Sequence, residues 1–217
     1  MKLVLEFLKG LRENNTREWF EANRKGYEAA KAEFEGMVNG LIPAIYSFDP
    51  EIGTLTAKDC VFRIFRDVRF SKDKSPYKTN MGGFICKGGR KGPYAGYYVH
   101  VEPGNSMLAG GIYMPPPEVL KKARQEVYYH AEEFKGILNG AAFKKTFRVM
   151  EEDKLSRPPK DFPADFADID LLKYKSYTVM HAMKDETLLE KNVQDYMVKV
   201  FKVMQPFNGF LNRGLGN

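Results

Sequence analysis

The stretch 81–114, MGGFICKGGRKGPYAGYYVHVEPGNSMLAGGIYM, decides the fold. Residues 81–86, 94–102 and 107–114 read as strands. Only the turn-forming runs 87–93 and Pro103-Gly104-Asn105 separate them. Connections this short cannot house a helical crossover, so the strands must form an antiparallel meander. Upstream, residues 61–70 alternate imperfectly, with Phe62, Ile64, Val68 and Phe70 on one face and Arg66 as its odd member. Downstream, residues 174–183 alternate again and are expected to rejoin the sheet.

Helical periods flank this centre. Leu3, Val4, Phe7, Leu8 and Leu11 predict a short amphipathic helix over 2–11. Asn15, with Glu18 three residues on, reads as a capping box. It would open a helix over 16–46 that buries Trp19, Phe20, Tyr27, Phe34, Val38, Leu41 and Ile45 and bends near Pro43. The triple proline 115–117 ends the last meander strand, and helices follow over 118–129 and 131–138. Residues 151–170 read as a loop, and a closing helix over 186–204 takes Asp185 as its cap. The fold class is therefore α+β: a central, mostly antiparallel sheet (about 60–114 plus 174–183), a long N-terminal helix and C-terminal helices. The 217 residues show no repeat or linker that would divide them, so one domain over 1–217 is expected.

Composition excludes several classes. With 43% hydrophobic and 29% charged residues, global disorder is ruled out. No eighteen apolar residues run together, and Glu6 and Lys9 interrupt the N-terminal run too early for a leader. Cys60 and Cys86 lie in apolar runs and read as reduced core thiols. A cytoplasmic protein without membrane association is the expectation. The six scattered methionines Met107, Met114, Met180, Met183, Met197 and Met204 read as core filler.

The net charge of +6 is unevenly spread. Residues 63–91 hold nine lysines and arginines against Asp67 and Asp73, so this segment carries the whole excess. Its centre is Arg63, Arg66, Asp67, Arg69, Lys74, Tyr77 and Lys78. On a strand, Arg63, Asp67 and Arg69 would share a face, with Asp67 orienting two guanidinium forks toward a carboxylate or phosphate. The turn through Pro76 would bring Lys74, Tyr77 and Lys78 over the same patch. The bland alternative is an ion-pair network bracing the sheet.

This run, Arg-x-x-Arg-Asp-x-Arg-Phe followed by Asp-Lys and Tyr, stands with Trp19-Phe20, Gly96-Tyr97-Tyr98 and Gly110-Gly111-Ile112-Tyr113-Met114-Pro115. Together they resemble the DUF2461 family of bacterial and fungal proteins, over nearly the whole chain. The resemblance implies an α+β domain of that type and carries no activity to any residue.

Two further constellations stand out. The glycine loop 87–93 leads into a strand and not a helix, so it reads as a hairpin tip able to close over a ligand, and not as a phosphate loop. Tyr98, His100 and Glu102 would share a strand face, making His100, with Tyr77, a candidate proton-transfer group. His130 and His181 have no ligand spacing to His100, so no metal site is expected, and no cofactor fingerprint is present. Three functions compete. A small anionic ligand, with or without catalysis, is the leading expectation. A nucleic-acid module stacking bases on Tyr94, Tyr97 and Tyr98 is the second. A scaffold with a structural arginine network is the third.

Overall fold

The computed structural model describes residues 1–149 and 154–216. Helix α1 (Lys2–Glu13) buries Val4, Phe7, Leu8 and Leu11 as expected, but Leu5 takes the buried place expected of Leu3, which is exposed. The expected helix over 16–46 is two helices, α2 (Arg17–Ala22) and α3 (Arg24–Tyr46). They part at Asn23, which leaves helical geometry (φ −107°, ψ 17°) and donates from Nδ2 to the Trp19 carbonyl at 2.8 Å. The cap also moves by one residue. Thr16 Oγ1 accepts from the Trp19 amide at 3.2 Å. Asn15 instead clamps the backbone of Tyr77, donating to its carbonyl at 3.0 Å and accepting from its amide at 3.1 Å. A side chain that mimics a peptide group in this way ties the N-terminal helices to the basic segment.

After the short α4 (Ala57–Cys60) come β1 (Met81–Ile85), β2 (Gly96–Val101) and β3 (Ser106–Ile112), the expected meander. Then follow α5 (Pro117–Tyr129), α6 (Ala131–Asn139), α7 (Ala141–Thr146), the two-residue β4 (Arg148–Val149) and α8 (Ile169–Leu172). The chain closes with β5 (Tyr177–Met183), α9 (Asp185–Leu188) and α10 (Val193–Leu215). The strand order is β1-β2-β3-β5-β4, and every pairing is antiparallel.

Three expectations need correction. Residues 61–70 form no regular strand: Val61 and Phe65 make single bridges to Gly83 and Tyr77. The alternation there does not set one face against the core: Ile64 is buried, but Phe62 and Phe65 are exposed and Phe70 is 96% exposed. The closing helix is interrupted after α9, and Asp185 serves as a tie to Gly104 N (2.9 Å) and Lys9 (3.8 Å) in place of a cap. Helix α10 also runs past Pro206, which costs a backbone bond. Burial of Phe207, Phe210 and Leu211 beyond the proline offsets that cost. The expected loop 151–170 is irregular over 155–168, after a single bridge from Lys154 to Tyr174, and its last two residues open α8; its first three residues lie outside the described ones.

The sheet has one covered and one open face. Tyr97, Val99, Val101, Leu108 and Val179 point toward α3 and α10 and are buried. Tyr97 packs edge-on to Phe201 at 5.2 Å and donates its hydroxyl to the buried Asp49 carboxylate at 2.6 Å. A Cβ on Gly83 would touch Val38 and Phe34 of α3. A second aromatic group fills the space under α1 and α2: Phe20 stacks on Tyr77 at 4.1 Å with the rings 10° apart, and Phe7 closes against both Phe20 and Trp19. Phe20 is wholly buried, but Trp19 is only half-buried. Phe20→Ala should therefore cost about 3–5 kcal/mol in urea unfolding. Trp19→Ala should cost clearly less, and equal losses would show that the indole is part of the core.

Candidate functional site

The open face of the sheet carries a cleft of about 600 Å³. Strand register builds its floor. Gly82 lies opposite His100, Phe84 opposite Tyr98, Tyr98 opposite Ala109 and His100 opposite Met107, so these side chains emerge on the same side. Phe62 and Arg63 of the irregular segment form one wall, the hairpin tip with Arg90 and Tyr94 a second, and the rim Tyr113–Pro116 a third. Glycine makes room for the floor. A Cβ on Gly82 would stand 2.6 Å from the Tyr98 hydroxyl oxygen. At Gly111 the backbone adopts φ +100°, and a Cβ there would stand 2.0 Å from the Tyr177 carbonyl. Met114, on the rim, is a non-glycine residue at φ 45°, held by its amide's hydrogen bond to Ser176 Oγ at 2.9 Å. Such backbone strain collects at functional sites.

A polar array crosses the floor. The Tyr98 hydroxyl lies 3.0 Å from His100 Nδ1, and His100 Nε2 lies 3.3 Å from Glu102 Oε2. Asn80 Nδ2 is 3.0 and 3.3 Å from the two ring nitrogens. One atom cannot lie along two diverging in-plane lone pairs, so the amide rests across the ring and leaves the Nδ1 lone pair to Tyr98. Burial, with smaller contributions from Glu102 and Tyr113, pushes the Tyr98 phenol up to about 12. It therefore holds its proton at neutral pH and donates to Nδ1, which assigns the N–H of His100 to Nε2, facing the carboxylate. Glu102 is pulled two ways. Burial raises its pKa, but hydrogen bonds from Asn105 (3.0 Å), His100 and Thr79 (3.0 Å) outweigh burial and hold it below the ordinary carboxylate range.

The basic segment divides at this site. Arg63 and Lys78 line the cleft. Lys78 Nζ donates to the Arg63 carbonyl at 3.0 Å and sits 5.7 Å from the centre of the Phe62 ring. Neither cation has an ion pair among the described residues. The other residues named from the sequence do not reach the cleft. Arg66 pairs with Asp73 and also donates to Ser75 O and Ser71 Oγ, both at 3.3 Å. Ser75's hydroxyl and amide, then Arg66, hold Asp73 down at about 2. Arg69 grips its neighbour Asp67 through Nε (2.9 Å) and Nη2 (2.6 Å), well out in solvent. Lys74 donates to the Val68 carbonyl at 3.0 Å. Tyr77 is buried in the stack with Phe20, which corrects its reading as a proton-transfer group. The shared face of Arg63, Asp67 and Arg69 does not exist, because the segment is not a strand.

Sequence reasoning missed Phe62 as a wall, Asn80 under His100, and the rim residues Tyr113 and Met114. The signal for the last two was present as an apolar pair placed immediately before three prolines. The tip 87–93 is not loose: Arg90 donates to the Lys58 carbonyl at 2.6 Å, anchoring it beside the cleft. Cys60 and Cys86 are free and buried, and burial pushes their thiols up to about 11 and 12. Among the described residues no helix is long and apolar enough to cross a membrane.

No curated protein and no solved structure matches the chain. A family model described as "Conserved hypothetical protein (DUF2461)" matches residues 3–210, which is nearly the full length. The chain therefore belongs to the DUF2461 family.

Proposed function

We propose that this protein binds a small organic anion in the cleft on the open sheet face, with a carboxylate or phosphate group held by Arg63 and Lys78. The observation that carries this reading is the division of the basic segment. Arg66 and Arg69 each have an acid in hand, whereas Arg63 and Lys78, which line the cleft together with Arg90, have no ion pair among the described residues, and Arg90 is turned to the Lys58 carbonyl. Burial first, and the Arg63 charge second, lower the pKa of Lys78. Lys78 is half-buried beside the exposed Arg63, so its charge is disfavoured by burial and by a like charge, and an anion between the two relieves that cost. The aromatic walls supply an apolar body site, in the usual proportion of a ligand pocket with few polar anchors.

The nucleic-acid reading loses its main support. Tyr97 is fully buried against α10, on the face away from Tyr98, so the three tyrosines make no stacking platform. The scaffold reading keeps part of the segment, since Arg66 and Arg69 brace the loop locally.

Two outcomes test the proposal. Phenyl phosphate at about 100-fold over its dissociation constant should add about 2.7 kcal/mol, which is a rise of roughly 5–10 °C in melting temperature. Arg63→Ala should remove most of that rise and Arg69→Ala none of it; no rise in the parent would end the proposal. The second outcome concerns Lys78. Its folded pKa is lowered, so its charge costs stability at neutral pH, and the cost lifts as pH rises from the folded value toward the unfolded value near 10.4. Lys78→Met should therefore unfold in urea at pH 7 no earlier than the parent while losing the response to phenyl phosphate. Early unfolding of this variant would make Lys78 a structural residue.

A further inference from the structure

We propose that Tyr98, His100 and Glu102 form a proton relay that makes the cleft an active site for removing hydrogen from a carbon atom beside a carbonyl group. The inference rests on the reading of the cleft as an anion site and adds a reaction to it.

The geometry is that of a directed chain. The Tyr98 hydroxyl donates to His100 Nδ1 at 3.0 Å, which leaves the phenol oxygen with lone pairs free to accept from a ligand. His100 Nε2–H faces Glu102 at 3.3 Å, so an imidazolium formed at His100 would lie directly against a carboxylate. Glu102 is itself fixed from two sides, by Thr79 and Asn105, both at 3.0 Å. The absence of a side chain at Gly82 lets the phenol lie where it does, because a Cβ there would stand 2.6 Å from its oxygen. A network needed only to satisfy buried polar atoms would have no reason to end on a hydroxyl lining a cleft.

The chemistry follows from what such a relay can accomplish. Protons on oxygen and nitrogen exchange with water unaided, so a built relay is useful toward hydrogen on carbon. As the ligand C–H proton moves to the Tyr98 oxygen, the Tyr98 proton moves to His100 Nδ1. The C–H electron pair becomes a C=C bond, and the carbonyl π pair becomes a lone pair on oxygen. Return of a proton along the same path to that oxygen gives the enol and restores Tyr98 and neutral His100. Atoms and electrons balance without a further reactant. The substrate class is a planar, apolar 2-oxo acid: the carboxylate meets Arg63 and Lys78, and the flat body lies on the surface made by Phe62 and Tyr98, whose rings pack edge-to-face at 6.3 Å. Tyr98 is the catalytic residue, while His100 and Glu102 act through it as positioning residues.

Phenylpyruvate is the probe. Its binding is measured by calorimetry, and its keto–enol interconversion by ultraviolet absorbance together with deuterium incorporation at C3 in D₂O. The parent should bind the probe and speed exchange by about 10²–10⁴-fold over buffer, the usual yield of positioned acid–base groups. Tyr98→Phe deletes one oxygen and keeps the ring in place, so it should bind normally and lose that acceleration. His100→Gln and Glu102→Gln should lower kcat at least tenfold, roughly, with KM held. Binding without accelerated exchange, or full activity in Tyr98→Phe, overturns the relay and leaves the anion site standing. Absence of binding overturns both.

Discussion

The alternation of side chains along β2 is the constraint on which the rest of this structure depends. Six residues, Gly96–Val101, must serve two environments at once, because successive side chains of a strand leave on opposite faces. Tyr97, Val99 and Val101 take the face that α3 and α10 cover and sit in the core. Tyr98 and His100 are thereby committed to the other face, where no α-helix of the described residues lines the cleft. A register shift of one residue would put a histidine into the core and a valine into the cleft, so burial of the first set fixes the placement of the second. The polar array on the floor exists because the core on the far side is well packed.

An open sheet face carrying aromatic and polar groups has to be walled by something. Here the walls are irregular segments and not helices. The 61–80 stretch crosses one side, and its backbone bonds Phe62 N to Gly82 O (2.9 Å) and Lys78 N to Ile64 O (2.8 Å) hold it there. It is also pinned from beneath, since Asn15 binds the Tyr77 backbone and Phe20 stacks on the Tyr77 ring. The N-terminal helices thus set the position of Arg63 and Lys78 without touching the cleft. Charge within the segment sorts by reach. Arg69 and Arg66 lie close to aspartates two and seven residues away and form exposed pairs of small energetic worth. Arg63 and Lys78 line the cleft with no ion pair among the described residues, although the charge of Arg63 is felt at Asp67.

Much of the fold was legible in the sequence, for physical reasons that differ by element. The meander was plain because turns as short as Pro103-Gly104-Asn105 permit one topology. Helix α1 was plain because Val4, Phe7, Leu8 and Leu11 share one face. The break at Asn23 was not, since the apolar stripe runs on through it and only the local backbone departs. The continuation of α10 beyond Pro206 was hidden because a proline ordinarily ends a helix, and the opposing term, burial of Phe207, Phe210 and Leu211, belongs to tertiary structure. Legibility at the site followed the same division. Arg63, Lys78 and His100 were named from sequence and line the cleft, but Arg66, Arg69 and Lys74 were grouped with them on a strand that does not form. Charge density marked the segment; which charges lack partners depends on three-dimensional placement.

The account stands or falls on where an anion sits. A crystal structure of the protein grown with phenyl phosphate tests this most directly. The phosphate should lie within hydrogen-bonding distance of both the Arg63 guanidinium and Lys78 Nζ, with the phenyl ring against Phe62 and Tyr98. A phosphate resting instead on Arg66 or Arg69, with the cleft empty, would contradict it.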